Sequence, residues 1–172
     1  MKDLQEIAAT IGSLPVVLQA LLEPVDQSCL TIRPEPGEWS ILEVIGHLVA
    51  TDSGGFRDRI QAIVHGQPEI AAFDPWEAID ARDHVALSLT DLLKELTQER
   101  ATSVRFVSGL DEADLSKTAS YGVHGTFTAG DFVHEWPFHD QDHIQQILDI
   151  LKANYLPHMS STMRRALTSH DE

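Results

Sequence analysis

The sequence predicts an all-α protein, a four-helix bundle with a short extra helix at its C-terminal end. Three observations carry that reading. Apolar residues recur at spacings of three and four along nearly every long segment. No segment alternates apolar and polar residues long enough to make a half-buried strand. Helix caps and stop glycines divide the chain into four long stretches, the number a bundle needs.

The first helix is marked by Ile7, Ile11, Leu14, Leu18 and Leu21 or Leu22, and it is expected to end near Pro24. Gly12 and Pro15 predict that it splits or restarts, because proline removes a helical hydrogen bond and clashes with the preceding turn. Pro34, Pro36 and Gly37 then make an irregular connection that Ser40 closes as a helix cap, with Glu43 completing a capping box. The second helix is predicted from Ile41 to about His65, with Gly54 and Gly55 as a weak point and Gly66 as its stop. The stretch GQPEIAAFDPWEAIDARDH reads as a long polar loop, of a kind often functional in a compact domain. A third helix follows from about Asp83 to Ser108, with Gly109 ending it. One short helical turn is expected within LDEADLSKTASYGVHGTF. Thr128 and Asp131 cap a fourth helix, Ala129 to about Asn154, in which Pro137 predicts a kink and leaves the Val133 carbonyl without its partner. A last helix is expected near Met159 to Thr168.

At 172 residues with no shift in composition, a single domain over residues 1–172 is the expectation. Twelve basic against 27 acidic residues give a formal charge of −15, which repels a phosphate backbone and argues against a nucleic-acid partner. The opening segment lacks the pattern of a signal peptide, and no run of about 18 apolar residues occurs, so a cytoplasmic protein without a membrane partner is expected. Cys29 is the only cysteine, which rules out an intrachain disulfide and a thiolate metal cage. No Gly-x-Ser-x-Gly, Gly-Lys-Ser/Thr or Gly-x-Gly-x-x-Gly motif is present, so neither a serine-hydrolase elbow nor nucleotide chemistry is indicated.

Chemistry therefore rests on histidines and carboxylates. At about 100° per residue, Phe132, Trp136, His139, His143, Ile147 and Ile150 share one stripe of the fourth helix. His139 and His143 lie one turn and about 40° apart, close enough to share a cation. The same pattern also suits ordinary core histidines with hydrogen-bond partners. HEWPFH is not the two-histidine metalloprotease motif, since His134 and His139 stand about 140° apart. His47, bordering the stripe of Ile41, Val44 and Leu48, is the best third ligand. Glu135, Asp140 and Glu43 are candidate acid–base or orienting groups, with an exposed glutamate and the Ser40 capping box as the plainer readings of Glu135 and Glu43. His65, His84, His124, His158 and His170 are read as surface residues.

RPEPGEWSILEVIGHLVATD resembles the segment of the DinB/YfiT-like superfamily in which tryptophan and serine open a helix and Gly-His-Leu carries a metal ligand. TFTAGDFVHEWPFHDQDHIQQI resembles the later helix of that family, and FRDRIQAIVHGQPEIAAFDPWEAIDARD its connection from second to third helix. The resemblance covers most of residues 30–152. It implies a four-helix bundle, often a homodimer, in which three histidines bind one divalent metal, commonly nickel or zinc. Carried over by position, the ligands are His47, His139 and His143. The sequence departs from the family where Asp142 stands in place of a frequent further histidine, and where Pro137 lies two residues before His139.

Three neutral imidazoles leave such an ion its full charge and an unfilled position, so hydrolysis and thiol transfer of a small-molecule substrate both become possible. The resemblance implies a family holding thiol-dependent transferases, an isomerase using low-molecular-weight thiols, metal-dependent hydrolases and stress-induced proteins, so it does not choose the reaction. The rival expectation is a non-catalytic metal-binding or dimerisation bundle in which the ion ties two helices together. A cavity walled by Phe73 and Trp76 favours the catalytic reading; a fourth ligand such as Asp142 or Glu43 favours the structural one.

Overall fold

Short polar side chains set where helices begin in the computed structural model of the chain, which describes residues 3–81 and 88–168. Asp3 accepts the Gln5 N–H at 3.2 Å and opens α1, Leu4–Leu22. Asp26 caps the single turn α2, Gln27–Leu30. Ser40 and Glu43 form the predicted capping box at the start of α3, Ile41–Ala50. A π-helical segment, Thr51–Arg57, follows without a break and leads into α4, Asp58–Val64. Asp74 caps α5, Pro75–Asp80, and Ser88 caps α6, Leu89–Ser108. After α7, Glu112–Leu115, strands β1, Thr118–Ser120, and β2, Thr126–Thr128, form an antiparallel hairpin. Thr128 and Asp131 then make the capping box of α8, Ala129–Tyr155, and α9 spans Ser161–Thr168.

The long helices α1, α3–α4, α6 and α8 are the four members of the bundle, with α1 lying along α6 and α8, and α3 against α6, α5 and α8. Two apolar clusters fill it. One joins Leu14, Leu18 and Leu22 of α1 to Ile41, Ile45 and Leu48 of α3, Leu92 and Leu96 of α6, and Ile147 of α8. The other joins Ile7 and Ile11 to Phe56, Ile60, Ile63, Val107 and Trp136. Each of these large side chains contributes roughly 1.5–3 kcal/mol by leaving water.

The structure corrects several expectations. Pro15 does not split α1, which runs through it with Pro15 itself buried. The proline costs about 3 kcal/mol, and the uninterrupted burial of Ile7, Ile11, Leu14, Leu18 and Leu22 outweighs it. The loop after Gly66 holds α5, because Asp74 accepts the Trp76 and Glu77 N–H groups and Pro75 suits a first helical turn. The β-hairpin was not foreseen: three residues per strand are too few to show a period of two. Its turn depends on Gly125 at φ +100°, a conformation side chains disfavour. The expected start of the third helix at Asp83 lies outside the described residues; the helix is described from Leu89. Among the described residues α1 alone is long and apolar enough by length and composition to cross a membrane, and its buried stripe is that of a core helix.

Candidate metal centre

Local sequence delivers the first imidazole. Nearly every residue of α3 from Ile41 to Val49 is buried, so His47, 4% exposed, enters the core as part of a helix enclosed on all sides. The π-helical segment begins one turn later. There Thr51 donates its hydroxyl to the His47 carbonyl at 2.7 Å and sets the same oxygen 3.3 Å from Nδ1 of the ring. The wide turn needs the glycine pair that follows: a Cβ on Gly55 would stand 2.4 Å from Thr51 Cγ2, and one on Gly54 3.0 Å from the Phe73 ring. The predicted weak point is thus a π-bulge, a distortion frequent at functional sites.

Helix α8 delivers the other two. Nε2 of His139 lies 3.0 Å from Nε2 of His47 and 3.2 Å from Nε2 of His143, and one ligand nitrogen from each of the three lies within 4.8 Å of the others. The imidazoles sit between the two apolar clusters, with Trp39 4.7 Å from the His47 ring on one side and Phe56 5.2 Å from the His139 ring on the other. Phe56 is itself stacked on Trp136 at 4.8 Å. Burial, followed by the neighbouring His143, depresses the His47 pKa to about 3; burial, then His143, His47 and Arg100, depresses that of His139 to about 2. Burial also lowers His143, against the opposing pull of Gln146 and Asp142. All three rings are therefore neutral near pH 7.

This donor set fits a divalent cation. Nitrogens bound at ~2.1 Å with angles of ~90–110° stand about 3.0–3.4 Å apart, which is the spacing of the two close pairs. Gln146 Oε1 accepts from His143 Nδ1 at 2.8 Å, which fixes the tautomer and leaves the Nε2 lone pair free. Thr51 Oγ1 stands 3.3 Å from both ring nitrogens of His47, so it packs against that ring without selecting a tautomer. The buried Nδ1 of His139 has no hydrogen-bond partner among the described residues.

The carboxylate candidates are placed elsewhere. Asp140 turns away into a pair with Arg100, at 2.7 and 2.6 Å. Glu43 is held by the Ser40 N–H at 2.8 Å and by Arg33 Nε at 2.9 Å. Glu135 is exposed and has no recorded contact with the imidazoles. Their expected acid–base or orienting roles at the imidazoles thus find no geometric support, because Asp140 and Glu43 already have stronger partners. Asp142 is exposed at a cavity mouth beside His143 and does not join the cluster. His65, His124 and His158 are exposed as expected, and His84 and His170 lie outside the described residues.

Sequence reasoning missed a buried ionic network behind His139. Arg100, 2% exposed, places Nε 3.1 Å from Asp52 Oδ1 while its terminal nitrogens hold Asp140. Asp52 also accepts from Ser103 Oγ at 3.2 Å and Trp136 Nε1 at 3.3 Å. Burial raises the Asp52 pKa to about 6, against the pull of the Arg100 guanidinium. The available signal was Arg100 itself, spaced four from Leu96 and seven from Val107, a charge inside an apolar stripe.

Next to His143 the surface opens into a cavity of about 680 Å³ lined by Trp39, Trp76 and Asp142 among others. Trp76 forms part of the anticipated wall, 4.8 Å from Trp39, whereas Phe73 packs on Gly54 and Gly55 instead.

Fold and site define a four-helix bundle with three convergent, neutral imidazoles, of which His143 lines an open cavity. The chain belongs to the DinB superfamily, whose sequence profile matches residues 14–147. The fold is similar to that of YfiT from Bacillus subtilis, described as a probable metal-dependent hydrolase with an unusual four-helix bundle topology. The TM-score is 0.77 at 14% identity, over 87% of this chain and 86% of that one. It is also similar to a DinB-like protein from Bacillus subtilis, with a TM-score of 0.59 and 15% identity over 90% of this chain and 94% of that one. Among curated proteins none matches by sequence.

Proposed function

We propose that this protein is a metal-dependent hydrolase of a small-molecule substrate in which His47, His139 and His143 hold one divalent ion, zinc or nickel. The observation that carries the reading is the meeting of three neutral Nε2 atoms, one of them on the cavity-lining His143, with no fourth protein ligand among the described residues. An ion so held is a Lewis acid that lowers the pKa of a water or thiol and polarises a carbonyl. The chain's own residues do the rest. Gln146 orients the His143 ring, Thr51 packs against that of His47, Phe56 and Trp39 exclude water from either side, and the Arg100 network holds the α8 backbone at His139.

Transfer to a low-molecular-weight thiol would use the same ion. Glu38 and Asp142 at the cavity repel a carboxylate-bearing thiol, so hydrolysis comes first. A purely structural ion is the weaker alternative, because Glu43 is engaged by Arg33 and Asp142 stands apart, leaving the shell open. The test is a panel of ester and amide substrates given to zinc- and nickel-loaded protein beside His139→Ala. Turnover present only in the loaded wild type supports hydrolysis. No turnover across the panel, with thiol transfer observed instead, replaces it with the transferase reading.

A further inference from the structure

The cavity beside His143 has a chemical character of its own. One wall is aromatic: Trp39 and Trp76 lie 4.8 Å apart with their planes inclined at 55°, and Trp76 is 45% exposed. Trp39 extends that wall to the imidazoles, 4.7 Å from the His47 ring and 6.2 Å from the His143 ring. Its Nε1 is a buried donor with no partner among the described residues. Of the remaining lining residues Glu38, Asp142 and Asp149 are acidic, beside neutral Pro34, Gln145, Gln146 and Ile150. No lysine or arginine lines it among the described residues; Asp149 is paired with Lys152 at 2.8 Å, and Arg33, next to the lining residue Pro34, is paired with Glu43. Two indole faces set at an angle, with carboxylates around them and an opening to solvent, form the environment that favours an organic cation over an anion.

We infer that the cavity selects a substrate carrying an ammonium group, held on the exposed Trp76 side of the Trp39–Trp76 pair by the indole faces and the Glu38 carboxylate, in the field of Asp142, with its reacting group directed at the imidazoles. This rests on the hydrolase reading for the reacting end alone. At about 680 Å³ the cavity has room for both ends of such a molecule. The cationic end belongs at the Trp76 and Glu38 side, because a positive charge close to a divalent ion is repelled.

Three probes of one shape test it: benzyltrimethylammonium, its neutral isostere neopentylbenzene, and phenylmethanesulfonate. Each is titrated into the full-length chain, zinc-loaded and metal-free, with binding followed on the tryptophan indole N–H resonances and zinc content measured in the same samples. The expected result is that the cation binds at least about tenfold tighter than the isostere and that the sulfonate binds weakest. That preference should fall about tenfold in a Glu38→Gln, Asp142→Asn variant, whose changes lie on exposed side chains and spare the core. Equal binding of cation and isostere, tighter binding of the sulfonate, or no binding of any probe overturns the inference. A protein that takes up no zinc yet still selects the cation keeps this inference and loses the metal reading. A zinc-loaded protein without selection does the reverse.

Discussion

Arg100 and Asp140 meet through two hydrogen bonds of 2.7 and 2.6 Å inside the bundle, and Asp140 is the residue after His139. A side chain on α6 thereby sets the rotation of α8 at the point where it presents its imidazole. Arg100 also lies 3.1 Å from Asp52 in the π-helical segment that follows His47, so one guanidinium braces both halves of the histidine cluster.

Replacing Arg100 by Met leaves two buried carboxylates without their cation. The expected cost is about 3–5 kcal/mol of stability and, in protein that stays folded at low temperature, metal affinity reduced roughly 10–100-fold. Urea unfolding and competitive zinc titration measure the two. Wild-type zinc affinity in a folded Arg100→Met variant would show that the network does not position the site.

Gln146→Leu separates ring orientation from folding. It removes the acceptor of His143 Nδ1 at the edge of the site, so zinc affinity is expected to drop about tenfold or more with little change in thermal midpoint. An unchanged affinity would mean that the tautomer is fixed by other means.

The two glycines of the π-helical segment should respond unequally. At Gly55 the new Cβ meets Thr51 at 2.4 Å, whereas at Gly54 it meets the edge of the Phe73 ring at 3.0 Å, which can swing aside. Gly55→Ala is expected to cost about 1–3 kcal/mol and to weaken metal binding through Thr51 and His47; Gly54→Ala should cost less. Equal losses in unfolding experiments would contradict the role given to Thr51.

Acid should destabilise the metal-free protein. His47 and His139 titrate near 3 and 2 when folded and near 6.5 when unfolded. As pH falls below 6.5 the unfolded chain takes up protons that the folded one refuses, and stability drops by roughly 1.4 kcal/mol per pH unit for each group. Asp52, raised to about 6, has the opposite sign and gains stability as pH falls through 6 towards 4, and burial shifts Asp140 in the same direction. Comparing wild type with a His47→Leu, His139→Leu variant isolates the histidines: the variant's stability should fall less steeply from pH 6.5 to 5. Parallel profiles would mean that the rings are protonated in the folded state.

The bundle was legible because its signals are local and repeated: the stripe from Ile7 to Leu22, the Ser40–Glu43 and Thr128–Asp131 capping boxes, and the glycines after α4 and α6. His139 and His143 were legible for the same reason, since four residues on a helix make neighbours. Other features depend on distant partners. Nothing near Pro15 announces that burial will carry α1 through it, and nothing near Gly54–Gly55 distinguishes a π-bulge from a break until Phe73 and Thr51 are in place. Asp140 was seen as a carboxylate close to the histidines, but only Arg100, 40 residues earlier, decides where it points. Trp39 was read as part of a helix opening, yet it also walls the cavity because α5 brings Trp76 against it.

The central claim is that His47, His139 and His143 hold one divalent ion. Elemental analysis of untagged protein purified without chelator, wild type beside His143→Ala, tests it most directly. About one equivalent of zinc or nickel in the wild type and its loss from a folded His143→Ala variant is the predicted result. A wild-type protein that carries no metal and takes up none on addition would contradict it, and would return the three imidazoles to the core as ordinary buried histidines.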